Sequence, residues 1–126
     1  MQLEVSKRAQ RQWLRILVYY NEMGGQRAAT NLHQKYLKKK ERLLKHPESG
    51  FPEPLLADRK IRYRASIIND YYKVIYYVTG DTLRIAAFWD MRMNPEKLKK
   101  TIYQHCRTNK TDCLWVQKNE YEFKGY

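Results

Sequence analysis

Three runs of strand-forming residues between positions 61 and 89 constrain the fold of this chain most. Ile61 to Ile67 alternates apolar and polar side chains, and Tyr71 to Val78 is rich in β-branched and aromatic residues. Leu83 to Trp89 is the third such run. The intervening Asn69-Asp70 and Thr79-Gly80-Asp81 are typical of tight turns. We therefore expect three antiparallel strands joined as a meander.

Two helices are predicted before these strands. After a strand-like opening at Leu3 to Val5, Ser6 is suited to cap a helix, and apolar residues recur at helical spacing from Lys7 to Glu22. Gly24-Gly25 should end that helix, and a second one is predicted from Gln26 to Lys45. The helices must cover one face of the sheet. The predicted fold is therefore α+β, an N-terminal helical hairpin packed in two layers on an antiparallel β-meander.

The other segments are predicted to be irregular or short. His46 to Leu56 holds three of the four prolines, which favours a loop over a helix or a central strand. Asn94-Pro95 is a good helix start, and a short C-terminal helix is predicted from Pro95 to Cys106. Residues 1–106 are expected to form the domain and 107–126 a C-terminal extension, which either adds an edge strand at Leu114 to Val116 or stays flexible.

The chain is strongly basic for its length. Its 126 residues carry 25 lysines and arginines against 13 aspartates and glutamates, a net charge of +12. A polyanionic partner, either nucleic acid or an acidic protein segment, is therefore expected. The run from Lys35 to Lys45 includes three candidate nucleic-acid contacts, Lys38, Lys39 and Arg42. That run is either an ordinary solvated helix face or an electrostatic contact with RNA phosphates or an acidic partner.

Several classes of function are not indicated. There is no glycine-rich phosphate loop, no HExxH or GxSxG motif, and no carboxylate pair with suggestive spacing. Two cysteines and three scattered histidines do not form a four-ligand metal site, so neither a metal nor another cofactor is expected. The chain lacks an apolar signal segment and a bilayer-length apolar run, so we expect a cytoplasmic protein without a membrane partner.

Four cations of the predicted meander are candidate site residues. Arg62 and Arg64 lie on its first strand, Lys73 on the second, and Arg92 just after the third. If these side chains converge, the arginines would bind phosphate bidentately and Lys73 would add a point charge. Lys73 is also the best candidate for a general base with a lowered pKa, because aromatic residues flank it. The alternative is a solvated strand face with ordinary surface cations.

Aromatic residues give two further candidates. The second strand carries four tyrosines: Tyr71, Tyr72, Tyr76 and Tyr77. Core packing and cross-strand pairing explain most of them, although one exposed ring could stack on a base. On the C-terminal helix, Tyr103 and His105 are the nearby groups that could donate a proton.

The order of several short motifs carries a family resemblance. They are Pro47 and Gly50 in the loop, Tyr63-Arg64, the tyrosine-rich run Tyr72 to Val78, Arg92, and Asn94-Pro95. In this order and spacing, over about residues 2 to 100, they resemble the RelE/ParE superfamily of toxins from bacterial type II toxin–antitoxin systems.

The resemblance implies a partner and two alternative activities. The partner would be an acidic antitoxin that wraps the toxin. RelE-type members cleave mRNA in the ribosomal A site without a metal and form a 2′,3′-cyclic phosphate, whereas ParE-type members inhibit DNA gyrase and cleave no RNA. We expect ribosome-dependent mRNA cleavage first, with the ribosome and mRNA as partners. The alternatives are a non-catalytic gyrase inhibitor and a basic nucleic-acid-binding module.

The resemblance also implies roles for single residues. Arg64 matches the first-strand cation, Lys73 stands where nuclease members usually carry arginine, and Arg92 matches the arginine after the last strand. Together with Tyr103, chosen from the residues alone as a proton donor, these three are the candidate catalytic set, and Arg62 is a candidate nucleic-acid contact on its position alone. The tyrosine or histidine expected just beyond Arg92 is missing, since Asp90, Met91 and Leu98 stand in the candidate positions.

Overall fold

The computed structural model describes residues 1–102 and the backbone of residues 115–117. Its regular elements are six strands and two helices, listed in chain order: β1 (Gln2–Ser6), α1 (Lys7–Lys45), β2 (Phe51–Pro52), β3 (Arg64–Ile67), β4 (Tyr72–Thr79), β5 (Thr82–Asp90), α2 (Pro95–Ile102) and β6 (Trp115–Gln117). The segment expected as a loop contains β2 and two short 3-10 turns, Pro47–Ser49 and Pro54–Leu56. Within the described residues no helix is both long and apolar enough to cross a membrane.

The strands form one mixed sheet in the order β2-β3-β4-β5-β1-β6. β3, β4 and β5 pair antiparallel, which confirms the predicted meander. β1 pairs with β5 in parallel, and β6 pairs with β1 at the sheet edge. The expected strand at the C-terminal extension is thus present within one residue of its predicted bounds. The fold is α+β, as predicted, with the helical hairpin and meander that the resemblance implies.

Helix α1 is broken at Gly25, where φ is 86° and ψ is 173°. Such a conformation is open to glycine and strained for other residues. We call residues 7–24 the N-terminal arm and residues 26–45 the C-terminal arm. The arms contact each other, since Trp13 Nε1 donates to His33 Nδ1 at 2.9 Å and the Trp13 and Tyr36 ring centres are 5.1 Å apart. The predicted helical hairpin is confirmed.

Ser6 fixes the start of this hairpin on the sheet. Its side-chain oxygen accepts a hydrogen bond from Ala9 N at 3.0 Å, which caps α1, and donates to Ala86 O at 2.9 Å. Ala86 is the extra residue of a β-bulge in β5, because Ile75 pairs with Ala87 while Tyr76 pairs with Ile85. The junction between β1 and α1 is therefore attached to the centre of the sheet.

Both faces of the sheet are covered, which differs from the two layers expected. The face towards α1 buries Val74 and Tyr76 of β4, and the opposite face buries Ile75 beneath Leu56 and Leu98. The Pro54–Leu56 turn and α2 form this third layer. The sequence did not identify the elements that cover the second face.

Candidate protein-interaction site

The structure places Arg64 and Lys73 on opposite faces of the sheet. Arg64 of β3 lies opposite Tyr76 of β4, and Tyr76 is three positions from Lys73 along the same strand. Side chains alternate between faces along a strand, so an odd spacing puts Tyr76 and Lys73 on different sides. Arg64 shares the α1 face with Tyr76, whereas Lys73 lies on the face covered by the Pro54–Leu56 turn.

Arg64 is half-buried and engaged with the backbone of the preceding loop. Its Nη1 donates to Gly50 O at 2.6 Å and to Glu48 O at 3.3 Å. Tyr76 holds the same loop, because its hydroxyl donates to Pro47 O at 2.7 Å and accepts from Gly50 N at 3.1 Å. These contacts fix the connection from α1 to β2. Arg64 therefore holds the loop between α1 and β2 in place.

Lys73 forms a buried ion pair with a carboxylate that the sequence analysis did not connect to it. Lys73 Nζ contacts Glu53 Oε1, and the two residues are only 8 % and 2 % exposed. The second carboxylate oxygen of Glu53 accepts from Leu55 N at 3.3 Å. The pair fastens the Pro54–Leu56 turn to the sheet. Its ammonium is covered by protein, so a bound substrate could not reach it without displacing that turn.

Arg92 is held by a carboxylate two residues earlier. Its Nε and Nη2 donate to the two oxygens of Asp90, each at 2.9 Å, in a bidentate pair. Hydrogen bonds from Arg92 hold the pKa of Asp90 below its usual value, and the same pair raises the pKa of Arg92. The Arg92 side chain is 54 % exposed. It therefore presents a fixed, permanently charged guanidinium to solvent.

The three strand cations do not meet around one phosphate. Arg64 and the Arg92–Asp90 pair share the α1 face of the sheet. However, their partners Tyr76 and Tyr72 lie four residues apart on β4, about 13 Å along the strand. Lys73 is on the other face. The expected convergence of these cations is therefore not found, although their roles in the cell stay predictions.

Arg92 and three exposed neighbours form a group that we call the Arg92 cluster: Tyr71, Met91, Arg92 and Met93. The guanidinium carbon lies 4.2 Å from the centre of the Tyr71 ring, within cation–π distance. Tyr71 and Met93 are 43 % and 42 % exposed. Tyrosine, methionine and arginine are the residue types enriched at the centres of protein interfaces. The composition indicates a protein-binding surface.

A groove of about 400 Å³ adjoins the Arg92 cluster. The N-terminal arm contributes Ile16 and Tyr19 to its wall. Asp90 and Met93, which precede and follow Arg92 in the sequence, also line it. Burial raises the pKa of the lining residue Tyr72 to about 12, so its hydroxyl stays protonated near neutral pH. Four large apolar side chains of the N-terminal arm are exposed, although they do not share one helix face: Leu14, Val18, Tyr19 and Met23.

The remaining candidate residues are dispersed. Lys38, Lys39 and Arg42 lie on the C-terminal arm of α1, which none of the other candidates shares. Arg62 is exposed and lines a second concavity of about 370 Å³ formed by residues 52–64. Tyr103, with His105, lies outside the described residues, as does the end of the predicted C-terminal helix.

Two kinds of site residue were not predicted from the sequence. Glu53 gave no local signal, because nothing in a proline-rich loop predicts which carboxylate will be buried. The Arg92 cluster did give one, since an arginine between two methionines directly after a strand is an exposed apolar motif with a fixed charge. Within residues 1–102 and 115–117 no group of three histidine, cysteine or acidic residues could hold a metal ion.

Comparison with known proteins gives one family match and one match in fold. A family model described as the ParE toxin of the type II toxin–antitoxin system, parDE, matches residues 3–95. A solved structure of the chromosomal ParDE toxin–antitoxin system from P. aeruginosa is similar in fold, with a TM-score of 0.59 and 16 % sequence identity. The match covers 71 % of this chain and 95 % of that one. No curated protein matches the sequence.

Proposed function

The chain belongs to the ParE toxin family of type II toxin–antitoxin systems, and on that premise we propose that it arrests growth by binding and inhibiting DNA gyrase without catalysis. Gyrase inhibition is the activity of ParE-type members, whereas mRNA cleavage is that of the RelE type. The observation that carries this choice is the separation of Arg64, Lys73 and Arg92.

Metal-free RNA cleavage requires several groups held around one phosphate, with cations aimed at the charge that develops in the transition state. Here Lys73 is buried in an ion pair with Glu53 beneath the Pro54–Leu56 turn. Arg64 donates to the backbone carbonyls of Glu48 and Gly50. Recruiting either side chain to a substrate would release a contact that holds the loop. This arrangement favours a binding protein over a nuclease.

The Arg92 cluster is our candidate for the contact with gyrase. Its arginine is oriented before binding by Asp90 and Tyr71, so little side-chain entropy is lost when a partner docks. The adjoining groove, with the exposed Tyr19 of the N-terminal arm in its wall, extends the surface. Burying large apolar side chains around an arginine is typical of binding hot spots.

The second partner is an antitoxin, as membership of a toxin–antitoxin family implies. A toxin with a net charge of +12 is complementary to an acidic segment, and we propose that the antitoxin is acidic for this reason. Neutralisation would follow if that segment covers the Arg92 cluster or obstructs access to it.

The proposal is tested by titrating gyrase supercoiling activity with the purified toxin and its variants. The double variant Tyr71→Ala/Arg92→Ala should lose at least about 30-fold in inhibitory potency, since a hot-spot residue contributes about 2 kcal/mol or more. A matched control is Lys60→Ala/Ile67→Ala, which removes one exposed cation and one exposed apolar side chain outside the cluster. The control should inhibit like the unaltered toxin.

Two results would contradict the proposal. If the double variant inhibits gyrase as well as the control does, the contact lies elsewhere on the toxin. If the unaltered toxin leaves gyrase active but produces new mRNA ends in a reconstituted translation reaction, the chain is a ribosome-dependent nuclease and the gyrase assignment is wrong.

A further inference from the structure

A continuous basic stripe runs along the C-terminal arm of α1. Each of its five members lies three or four residues from at least one other member: Lys35, Lys38, Lys39, Arg42 and Lys45. At 100° per residue the five side chains fall within an arc of about 120°. Lys39 is partly exposed and the other four are exposed. The stripe therefore faces solvent, beside the buried residues that pack on the sheet.

Local helix energetics do not explain this arrangement. The helix dipole favours cations in the last turn, which accounts for Arg42 and Lys45 but not for Lys35, about two turns before Arg42. Like charges three and four residues apart repel, so the spacing weakens the helix. Glu41 is the only carboxylate in residues 26–45. No member of the stripe forms an ion pair within the described residues.

We infer that this basic stripe binds the phosphate backbone of duplex DNA. From Lys35 to Lys45 the helix rises about 15 Å. A duplex carries one charge per 1.7 Å of its axis, so that length presents about nine phosphates on its two strands. Five cations on a straight helix can therefore each approach a phosphate on the facing side of the duplex.

The surroundings of the stripe favour a duplex over other polyanions. Proteins that bind single-stranded RNA stack bases on exposed aromatic rings, and protein interfaces bury an apolar centre. None of the exposed large hydrophobic side chains in the described residues lies on the C-terminal arm. A surface of charge without aromatic or apolar anchors fits a regular phosphate backbone. The choice of DNA over duplex RNA rests on the proposed function, because DNA is the substrate of gyrase.

The test measures the affinity of the purified toxin for a DNA duplex of about 20 base pairs at several salt concentrations. The variant Lys38→Gln/Lys39→Gln/Arg42→Gln removes three charges from the stripe. The slope of log affinity against log salt should become less negative by about 2.7, or 0.9 for each lost phosphate contact. A matched control, Lys7→Gln/Lys60→Gln/Lys100→Gln, removes three exposed lysines from other elements and should keep nearly the original slope.

Each outcome decides the inference. Equal slopes for the two triple variants would mean that net charge alone attracts DNA, which would overturn it. Tighter binding to single-stranded RNA or to duplex RNA than to duplex DNA would also overturn it. The assay contains no gyrase, so DNA binding by the stripe can fail while gyrase inhibition by the Arg92 cluster stands, or the reverse. Thermal melting of both variants verifies that they are folded.

Discussion

Replacing Lys73 with methionine should destabilise the fold rather than remove a catalytic group. Lys73 Nζ is paired with the carboxylate of Glu53, a residue only 2 % exposed. Methionine keeps most of the side-chain volume but leaves that carboxylate buried without its counter-charge. Removing one partner of a buried pair costs about 3–5 kcal/mol, which is a large fraction of the stability of a small domain.

The size of the effect can be checked against a double variant. Lys73→Met/Glu53→Gln removes both charges and keeps an amide oxygen that can accept from Leu55 N. It should recover most of the lost stability, because replacing both members of a buried ion pair is often close to neutral. At roughly 4 °C per kcal/mol for a chain of this length, the single variant should melt about 12–20 °C lower than the unaltered toxin.

The assay is thermal unfolding followed by circular dichroism, with growth arrest measured on the same variants. An unchanged melting temperature together with lost growth arrest in Lys73→Met would refute the reasoning, since Lys73 would then act on a substrate. A double variant as unstable as the single one would show that the stranded carboxylate is not the cause.

Two further predictions follow from the buried polar contacts. Gly50→Ala should cost about 1–3 kcal/mol in urea unfolding, because its methyl group would lie 2.3 Å from Tyr76 Oη and 2.7 Å from Ala65 O. The exposed neighbour variant Ser49→Ala should change little. Burial raises the pKa of Tyr63 and Tyr72 to about 12. The folded chain therefore holds these protons more tightly than the unfolded chain, in which tyrosine has a pKa of about 10, and stability should fall as the pH rises from about 10 to 12. A constant urea midpoint across that interval would contradict this.

Much of the fold could be predicted because its signals are local. The Gly24-Gly25 pair predicted the break in the hairpin, and Gly25 does adopt a positive φ. Asn69 predicted the turn before β4, and its side-chain oxygen accepts from the amides of Tyr71 and Tyr72. The placement of β1 beside β5 could not be predicted, since a five-residue strand does not indicate which neighbour it will pair with.

The candidate site was harder to predict because its geometry depends on register. Arg64 and Lys73 are correct residue types for a phosphate site, but the face each occupies follows from the pairing of Arg64 with Tyr76. The burial of Glu53 depends on a turn folding over the second face of the sheet, which no local pattern reports. The Arg92–Asp90 pair, in contrast, spans two residues and could be identified in the sequence.

The topology of a reporter plasmid in cells arrested by the unaltered toxin tests the central claim most directly. Gyrase introduces negative supercoils, so a toxin that inhibits it should leave the plasmid progressively relaxed as growth stops. The claim also predicts that relaxation fails to develop when the Tyr71→Ala/Arg92→Ala variant is produced at the same level. Growth arrest with plasmid supercoiling unchanged would contradict the account, because the toxin would then act on a target other than gyrase.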